Sequence, residues 1–269
     1  YAFPEGSIIY PNEPVITIVA PLIDAQIVET AVLTMMNHQS LIATKANRIV
    51  RAADGRVVAD FGARRAHNVD AAVYGARAAY IGGVGSTATV LAGQQFGIPV
   101  SGTMAHSWVM YYGSEYDAFK AYAEVYPDNA VFLVDTYDVL NSGVPNAIQV
   151  AKDVLEPMGK RLKGIRLDSG DLAYLAKKAR CMLDDAGLED CKIMASNSLD
   201  EYTIKSLLLQ GGPIDIFGVG ERLITSKSDP VFGAVYKIAS IEKDGKWEPR
   251  IKISEAVEKI TNPGLKKVY

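Results

Sequence analysis

A series of short apolar stretches, each ending in polar residues and leading into a helical pattern, most constrains the fold of this chain. Ala130-Val131-Phe132-Leu133-Val134 ends on Asp135, and Lys163-Gly164-Ile165-Arg166-Leu167 ends on Asp168-Ser169-Gly170-Asp171. Lys192-Ile193-Met194-Ala195 ends on Ser196-Asn197, and Ile214-Asp215-Ile216-Phe217 on Gly218-Val219-Gly220. Ala79-Tyr80-Ile81 and Ile98-Pro99-Val100 read as shorter members of the series. Apolar runs without alternation describe strands buried on both faces, the condition of a parallel sheet. Helices follow. After Asp171, Leu172, Leu175, Ala176, Ala179, Met182 and Leu183 recur at helical spacing, and Gly187 supplies a stop. Ser198-Leu199-Asp200-Glu201 has the form of a capping box that opens a helix through Leu209. Six such units predict an α/β fold, an irregular six-stranded (β/α) barrel. Chemistry in such a barrel sits at the C-terminal strand ends, where these polar residues fall.

The two ends of the chain read differently. Residues 7 to 19 carry Pro, Asn and β-branched residues and suggest strands of another sheet, and a long helix from about Leu22 to Ala46 follows. Val235 to Ile241 and Trp247 to Ile253 flank Lys243-Asp244-Gly245-Lys246, a hairpin signal. An antiparallel β domain built from both chain ends is therefore expected. Residues 1–65 would hold part of it and the connecting helix, 66–226 the barrel with its active site, and 227–269 the returning hairpin. The start at Tyr1 and the end at Lys267-Val268-Tyr269 read as mid-domain, so a longer protein is expected.

Composition narrows the function. A net charge of -3 over 269 residues leaves no basic field for nucleic acid. No apolar run reaches the roughly 18 residues of a membrane span, and no signal peptide opens the sequence. Cys181 and Cys191 have neither metal-site nor redox spacing and read as reduced thiols of a cytoplasmic protein.

Five constellations could carry chemistry. Arg166-Leu167-Asp168-Ser169-Gly170-Asp171 puts a guanidinium, two carboxylates and a glycine beside a helix start, a set able to hold phosphate and sugar hydroxyls together. The plain alternative is an N-cap with a surface ion pair. Phe217-Gly218-Val219-Gly220 lets backbone amides approach a phosphate, or is a simple turn. His106 follows Gly102-Thr103-Met104-Ala105; one ring nitrogen can be fixed by a carboxylate, with Asp135 the natural partner, while the other attacks or moves a proton. A hydrogen-bonded structural histidine is the alternative, and that reading is kept for His38 and His67. Asp60-Phe61-Gly62-Ala63-Arg64-Arg65 offers a ring to stack on a flat heteroaromatic and arginines for an anion, or merely a surface. Gly82 to Thr89, with the hydroxyls of Ser86 and Thr87, could bind a carboxylate at a helix start or serve as a flexible loop.

Taken in order, these stretches resemble the nicotinate phosphoribosyltransferase family. The matching motifs are Tyr10-Pro11-Asn12-Glu13-Pro14, Leu41-Ile42-Ala43-Thr44-Lys45, Asp60 to Arg65, Gly102 to Ser107, Asp135-Thr136-Tyr137-Asp138, Arg166 to Asp171 and Gly218-Val219-Gly220. The resemblance implies joining of nicotinate to phosphoribosyl pyrophosphate, coupled to ATP hydrolysis, as the first step of NAD salvage from nicotinate. The products would be nicotinate mononucleotide, pyrophosphate, ADP and phosphate. It implies that ATP transiently phosphorylates His106, that Asp135 orients it, and that Mg²⁺ takes part. Arg166 and Asp168 would contact phosphate and ribose, and Ser196, Asn197, Gly218 and Gly220 would cradle the 5′-phosphate. Phe61 would stack on the pyridine ring with Arg64 nearby. The family's sites lie at a homodimer interface and borrow an aromatic residue from the partner's N-terminal region.

Two neighbouring activities compete. A nicotinamide enzyme would want an acidic side chain near the pyridine, and Ser86-Thr87-Ala88-Thr89 has none; quinolinate would want more basic residues. An unrelated barrel lyase or aldolase would want a strand-end lysine, and none stands among these sites. An inactive homologue kept as a binding module is the non-enzymatic alternative.

Overall fold

Six parallel strands form one sheet in a computed structural model that describes residues 1–255 and 260–267. They are β1 (Val57–Asp60), β2 (Ser86–Thr87), β3 (Val131–Leu133), β4 (Gly164–Leu167), β5 (Lys192–Ala195) and β6 (Ile216–Val219), in the order β2-β1-β6-β5-β4-β3. The ladder runs from β2 round to β3 and leaves those two as edges, which makes the expected (β/α) barrel irregular and open on one side. Register aligns the strand ends: Leu133 lies opposite Arg166, Leu167 opposite Ala195, Ala195 opposite Phe217, and Asp60 opposite both Val219 and Thr87. All C-terminal ends therefore share one rim.

Burial explains the unalternating sequences. Phe132, Leu133, Ile165, Leu167, Ile193, Phe217 and Val219 are each 0% exposed, because helices cover one face of the sheet while the strands' own side chains fill the other. In chain order the helices are α1 (Leu22–Ile27), α2 (Glu29–Ala52), α3 (Val69–Ile81), α4 (Val90–Phe96), α5 (His106–Tyr112), α6 (Glu115–Val125), α7 (Val144–Val150), α8 (Leu172–Asp185), α9 (Glu201–Leu209) and α10 (Glu221–Ile224), of which α3 to α10 follow barrel strands. On α6, Phe119 stacks on Phe132 of β3 with centroids 4.8 Å apart and rings 3° from parallel. Two such rings fully buried contribute about 1.5–3 kcal/mol each. Helix α8 starts as expected: the Asp171 side chain accepts from Tyr174 N, and Gly187 at φ 78° follows its end.

Several local readings are corrected. Ala79-Tyr80-Ile81 is the last turn of α3, whose alanines 72, 76 and 79 bury one helical face, and not a strand. The two remaining strands are instead β1, after the expected helix and ahead of the expected barrel start at residue 66, and β2, inside the Gly82 to Thr89 loop; four and two residues between turns carry too little pattern to stand out. Ile98-Pro99-Val100 gives only a bridge from Val100 to Thr87, since Pro99 has no amide to donate. Ser198, at φ 52°, lies outside the extended region an N-cap needs, and Asp200 at φ -144° caps α9 instead. The long helix is two, α1 and α2, divided at Val28.

Residues Tyr1–His38 with Val231–Tyr269 make one compact unit and Gln39–Pro230 another. In the first, residues 7–19 do not form the expected strands. The Ala2–Ile16 antiparallel bridge is the regular pairing near there, and Pro4, Pro11 and Pro14 interrupt the donors. The hairpin is present but shorter, β7 (Ser240–Lys243) paired with β8 (Lys246–Pro249), turning on Asp244 and Gly245 at φ 52° and 72°. Among the described residues no helix is long and apolar enough to cross a membrane.

Candidate active site

Along the rim, strand order sets side-chain order: Ser86 and Thr87 on β2, Asp60 and Phe61 at the end of β1, then Gly218 and Gly220 of β6. Ser196 and Asn197 follow β5, Arg166 and Asp168 close β4, and Asp135 lies just beyond β3. Residues remote in sequence thus converge at the end of the barrel that favours chemistry.

His106 is the first residue of α5, with its side chain 41% exposed. Its Nε2 lies 3.0 Å from Oδ1 of Asp135, which is 1% exposed. The other carboxylate oxygen accepts from Ser169 Oγ at 2.5 Å and from Asp168 N at 3.2 Å. Three donors thus fix the Asp135 carboxylate. With Nε2 donating to it, the imidazole keeps a lone pair on Nδ1.

Arg166 organises the neighbouring cluster. Its Nε donates to Ser196 Oγ and one terminal nitrogen to Thr103 Oγ1, both at 2.8 Å, while the other lies 3.1 Å from Asp168 Oδ1. Ser196 Oγ in turn donates to Asp168 Oδ1. The guanidinium carbon stands 5.4 Å from the centroid of the Phe61 ring, close enough for a cation–π contact. Phe61 is packed so closely over β6 that a Cβ on Gly218 would lie 2.7 Å from its Cε2. Asn197 and Ser198 follow β5 with φ of 87° and 52°, conformations that cost of order 1 kcal/mol or more each and persist where the surroundings enforce them.

Asp60 is wholly buried, and burial raises its pKa above the usual carboxylate value; hydrogen bonds from Thr87 and Gly62 offset part of the rise. Oδ1 accepts from Gly62 N at 2.8 Å and Oδ2 from Thr87 Oγ1 at 2.7 Å. Thr87, expected to offer its hydroxyl outward, is 1% exposed and spends that proton on Asp60 while accepting from Thr89 N. Ser86 is half-buried, its Oγ 2.6 Å from Ser101 Oγ. Arg64 is exposed on the short turn Ala63–Arg65 and makes no hydrogen bond or ion pair among the described residues, so no contact draws it into the cluster. Thr103, Ser169 and Asp60 stand in the sequence motifs with no separate role of their own. Their positions there were the sole signal, since their partners come from other strands. No group of three or more His, Cys, Asp or Glu side chains converges as a metal site among the described residues.

Comparison with known proteins comes to the same place. Residues 57–262 match the nicotinate phosphoribosyltransferase (NAPRTase) family. A nicotinate phosphoribosyltransferase of Bacillus subtilis is 56% identical over all of this chain and 54% of its own length. One of Dictyostelium discoideum is 40% identical over all of this chain and 53% of its own. The chain thus spans about half the length of these curated relatives. Among solved structures, human nicotinic acid phosphoribosyltransferase superposes with a TM-score of 0.74 at 31% identity, covering 81% of this chain and 54% of that one. A nicotinate-nucleotide pyrophosphorylase of Pyrococcus furiosus gives 0.73 at 35% identity, covering 84% and 57%.

Proposed function

Because the chain belongs to the nicotinate phosphoribosyltransferase family, we propose that it joins nicotinate to phosphoribosyl pyrophosphate, giving nicotinate mononucleotide and pyrophosphate, with ATP hydrolysed through a phosphohistidine at His106. The observation that carries this reading is the His106–Asp135 pair, which shares a rim with the Arg166–Asp168–Ser196 cluster through Asp168 N and Ser169.

In the phosphoryl step, Nδ1 of His106 attacks the terminal phosphorus of ATP, an N–P bond forms, and ADP leaves with the electrons of the broken P–O bond; water later attacks that phosphorus, the N–P electron pair returns to Nδ1, and inorganic phosphate leaves. The positive charge that grows on the ring is held by the Asp135 carboxylate at Nε2. In the glycosyl step the pyridine nitrogen bonds to the anomeric carbon while pyrophosphate leaves with the C–O electron pair. Oxocarbenium character develops, so the site must hold anionic groups without covering that carbon. Arg166 and Asp168 supply the guanidinium and the acceptor for phosphate and ribose hydroxyls. Ser196, Asn197, Gly218 and Gly220 cradle the 5′-phosphate, Phe61 stacks on the pyridine, and Ser86 receives its carboxylate, with Arg64, which no contact among the described residues ties down, free to swing toward it from its exposed turn. Thr87 acts from beneath, through Asp60. Phosphorylation shifts the balance only if the phosphorylated form favours one bound state over another.

Mg²⁺ enters this scheme as part of the phosphorylated substrates. The described residues do not converge as a resident metal site, and Mg²⁺ is commonly held through substrate phosphates and water. We place the enzyme in the cytoplasm, as a homodimer with shared active sites.

Steady-state assays of the protein with nicotinate, nicotinamide and quinolinate, with and without ATP, test the reading. ATP-stimulated turnover of nicotinate is expected, with acid-labile ³²P on the chain that is absent in His106→Ala. Nicotinate-independent turnover of quinolinate would sink it.

A further inference from the structure

A buried carboxylate next to the His106–Asp135 pair has no part in the scheme above. Glu115 opens α6 and is 2% exposed. Its Oε2 accepts from Ser142 Oγ, and its Oε1, also buried, has no hydrogen-bond partner. Ser142 belongs to the π-helical turn Val139–Gly143, capped by Asp138, whose side chain accepts from Leu140 N and Asn141 N. Gly143 in the same turn is pressed against β3's extension. A Cβ there would lie 1.9 Å from the carbonyl oxygen of Val134, the residue before Asp135.

On its other side Glu115 is coupled to the helix that carries the histidine. Gly113, at φ 75°, and the cap residue Ser114 are all that separates α5 from α6. Trp108 of α5 donates its indole N–H to the Ala118 carbonyl of α6 at 3.0 Å. The contacts form a closed path: His106, α5, α6, Glu115, Ser142, Gly143, Val134, Asp135 and back to His106. The Glu115–Ser142 hydrogen bond is the link in that path that joins the start of α6 to the turn beneath Asp135.

We propose that Glu115 is a positioning residue, which ties α6 to the π-turn and so holds Asp135 within hydrogen-bond distance of His106. Its consequence for rate rests on the phosphohistidine reading; its consequence for the His106–Asp135 bond does not. Burial raises the Glu115 pKa above the ordinary carboxylate value, the Ser142 hydrogen bond offsets part of the rise, and the Asp138 and Asp135 charges add to it. Glutamine keeps the side-chain oxygen that accepts from Ser142, so it preserves the tie; alanine removes it.

The test uses Glu115→Gln, Glu115→Ala and Ser142→Ala with two readouts. One is the downfield proton resonance of the His106 ring N–H bonded to Asp135, in cold solution. The other is the rate of acid-labile ³²P incorporation from ATP beside the KM for phosphoribosyl pyrophosphate. Glu115→Gln should keep the resonance and label within about threefold of wild type. Glu115→Ala should lose the resonance or broaden it, and label about tenfold more slowly, the scale of one weakened charged hydrogen bond, with KM changed less than about twofold. Ser142→Ala, the milder change, should move the same way and stands in if Glu115→Ala does not fold. A folded Glu115→Ala or Ser142→Ala protein with the resonance and labelling rate of wild type overturns the proposal. So does a loss confined to KM. If wild type takes no label but the resonance still responds, the phosphohistidine reading falls and the positioning role stands.

Discussion

Gly218→Ala adds one methyl group at the rim end of β6. Its carbon would lie 2.7 Å from Phe61 Cε2, 2.8 Å from Cδ2 and 3.4 Å from Ser196 Cβ. Carbon atoms pack best at about 3.5–4.0 Å, so the methyl intrudes on the ring by about 0.8 Å or more. The backbone cannot yield easily. Gly218 is registered against Ala59 of β1, and the preceding Phe217 against Ala195 of β5. The Phe61 ring must therefore move, and overpacking of this kind costs about 1–3 kcal/mol. The same movement takes the ring from beneath the Arg166 guanidinium, now 5.4 Å from its centroid, and from the proposed pyridine position. Loss of an aromatic stack worth about 0.5–1.5 kcal/mol raises the KM for nicotinate roughly two- to tenfold, with labelling of His106 unchanged. Urea unfolding and steady-state kinetics at saturating phosphoribosyl pyrophosphate measure both effects. Repeating the substitution in a Phe61→Ala background gives the control, because the clash partner is gone. There Gly218→Ala should cost at least about 1 kcal/mol less. An unshifted unfolding midpoint with unchanged KM, or a cycle without coupling, refutes the reasoning.

Three further outcomes are expected. Asp135→Asn puts an amide among three converging donors and removes the charge opposite His106, so ³²P labelling should slow about 10- to 100-fold, the range for a charged hydrogen bond of about 1.5–3 kcal/mol; labelling at the wild-type rate would contradict it. Asp60 has a raised folded pKa, so the folded state holds its proton more tightly than the unfolded one. Its contribution is full below the unfolded carboxylate value and is lost as pH rises through the folded value, so the stability difference between wild type and Asp60→Asn should fall with rising pH and then level off. A difference constant from pH about 4 to 8 would remove that account. The Cys191 thiol is pushed up to about 12 by burial while Cys181 is exposed, so a disulfide reagent at mildly alkaline pH should titrate one thiol quickly and the second only after denaturation.

Much of this protein was legible residue by residue, because the signals involved are local. The apolar runs of β3, β4, β5 and β6, the Asp171 cap with its Gly187 stop, and the Asp244-Gly245 turn each depend on neighbours a few positions away. Where local signals compete, the reading failed. An alanine-rich helix end passed for a strand at 79–81, and Ser198 passed for a cap that Asp200 provides. The four-residue β1 was invisible because its identity as a strand comes from pairing with β2 and β6, not from its own pattern.

The same division holds at the rim. The chain alone placed His106, Asp135, Arg166 and Asp168 at strand ends and brought them under one family's ordered motifs. Tertiary structure decided what each of them meets. Asp135 takes donors from α5 and from the residues after β4, Thr87 turns inward to Asp60, and Arg64 stays apart on an exposed turn. It also set Glu115 against Ser142, a contact that no sequence pattern announces. The physical reason is range. Propensity, capping and turn chemistry act over a few residues, whereas a carboxylate's donors and a buried group's electrostatics depend on which distant strands the sheet makes neighbours.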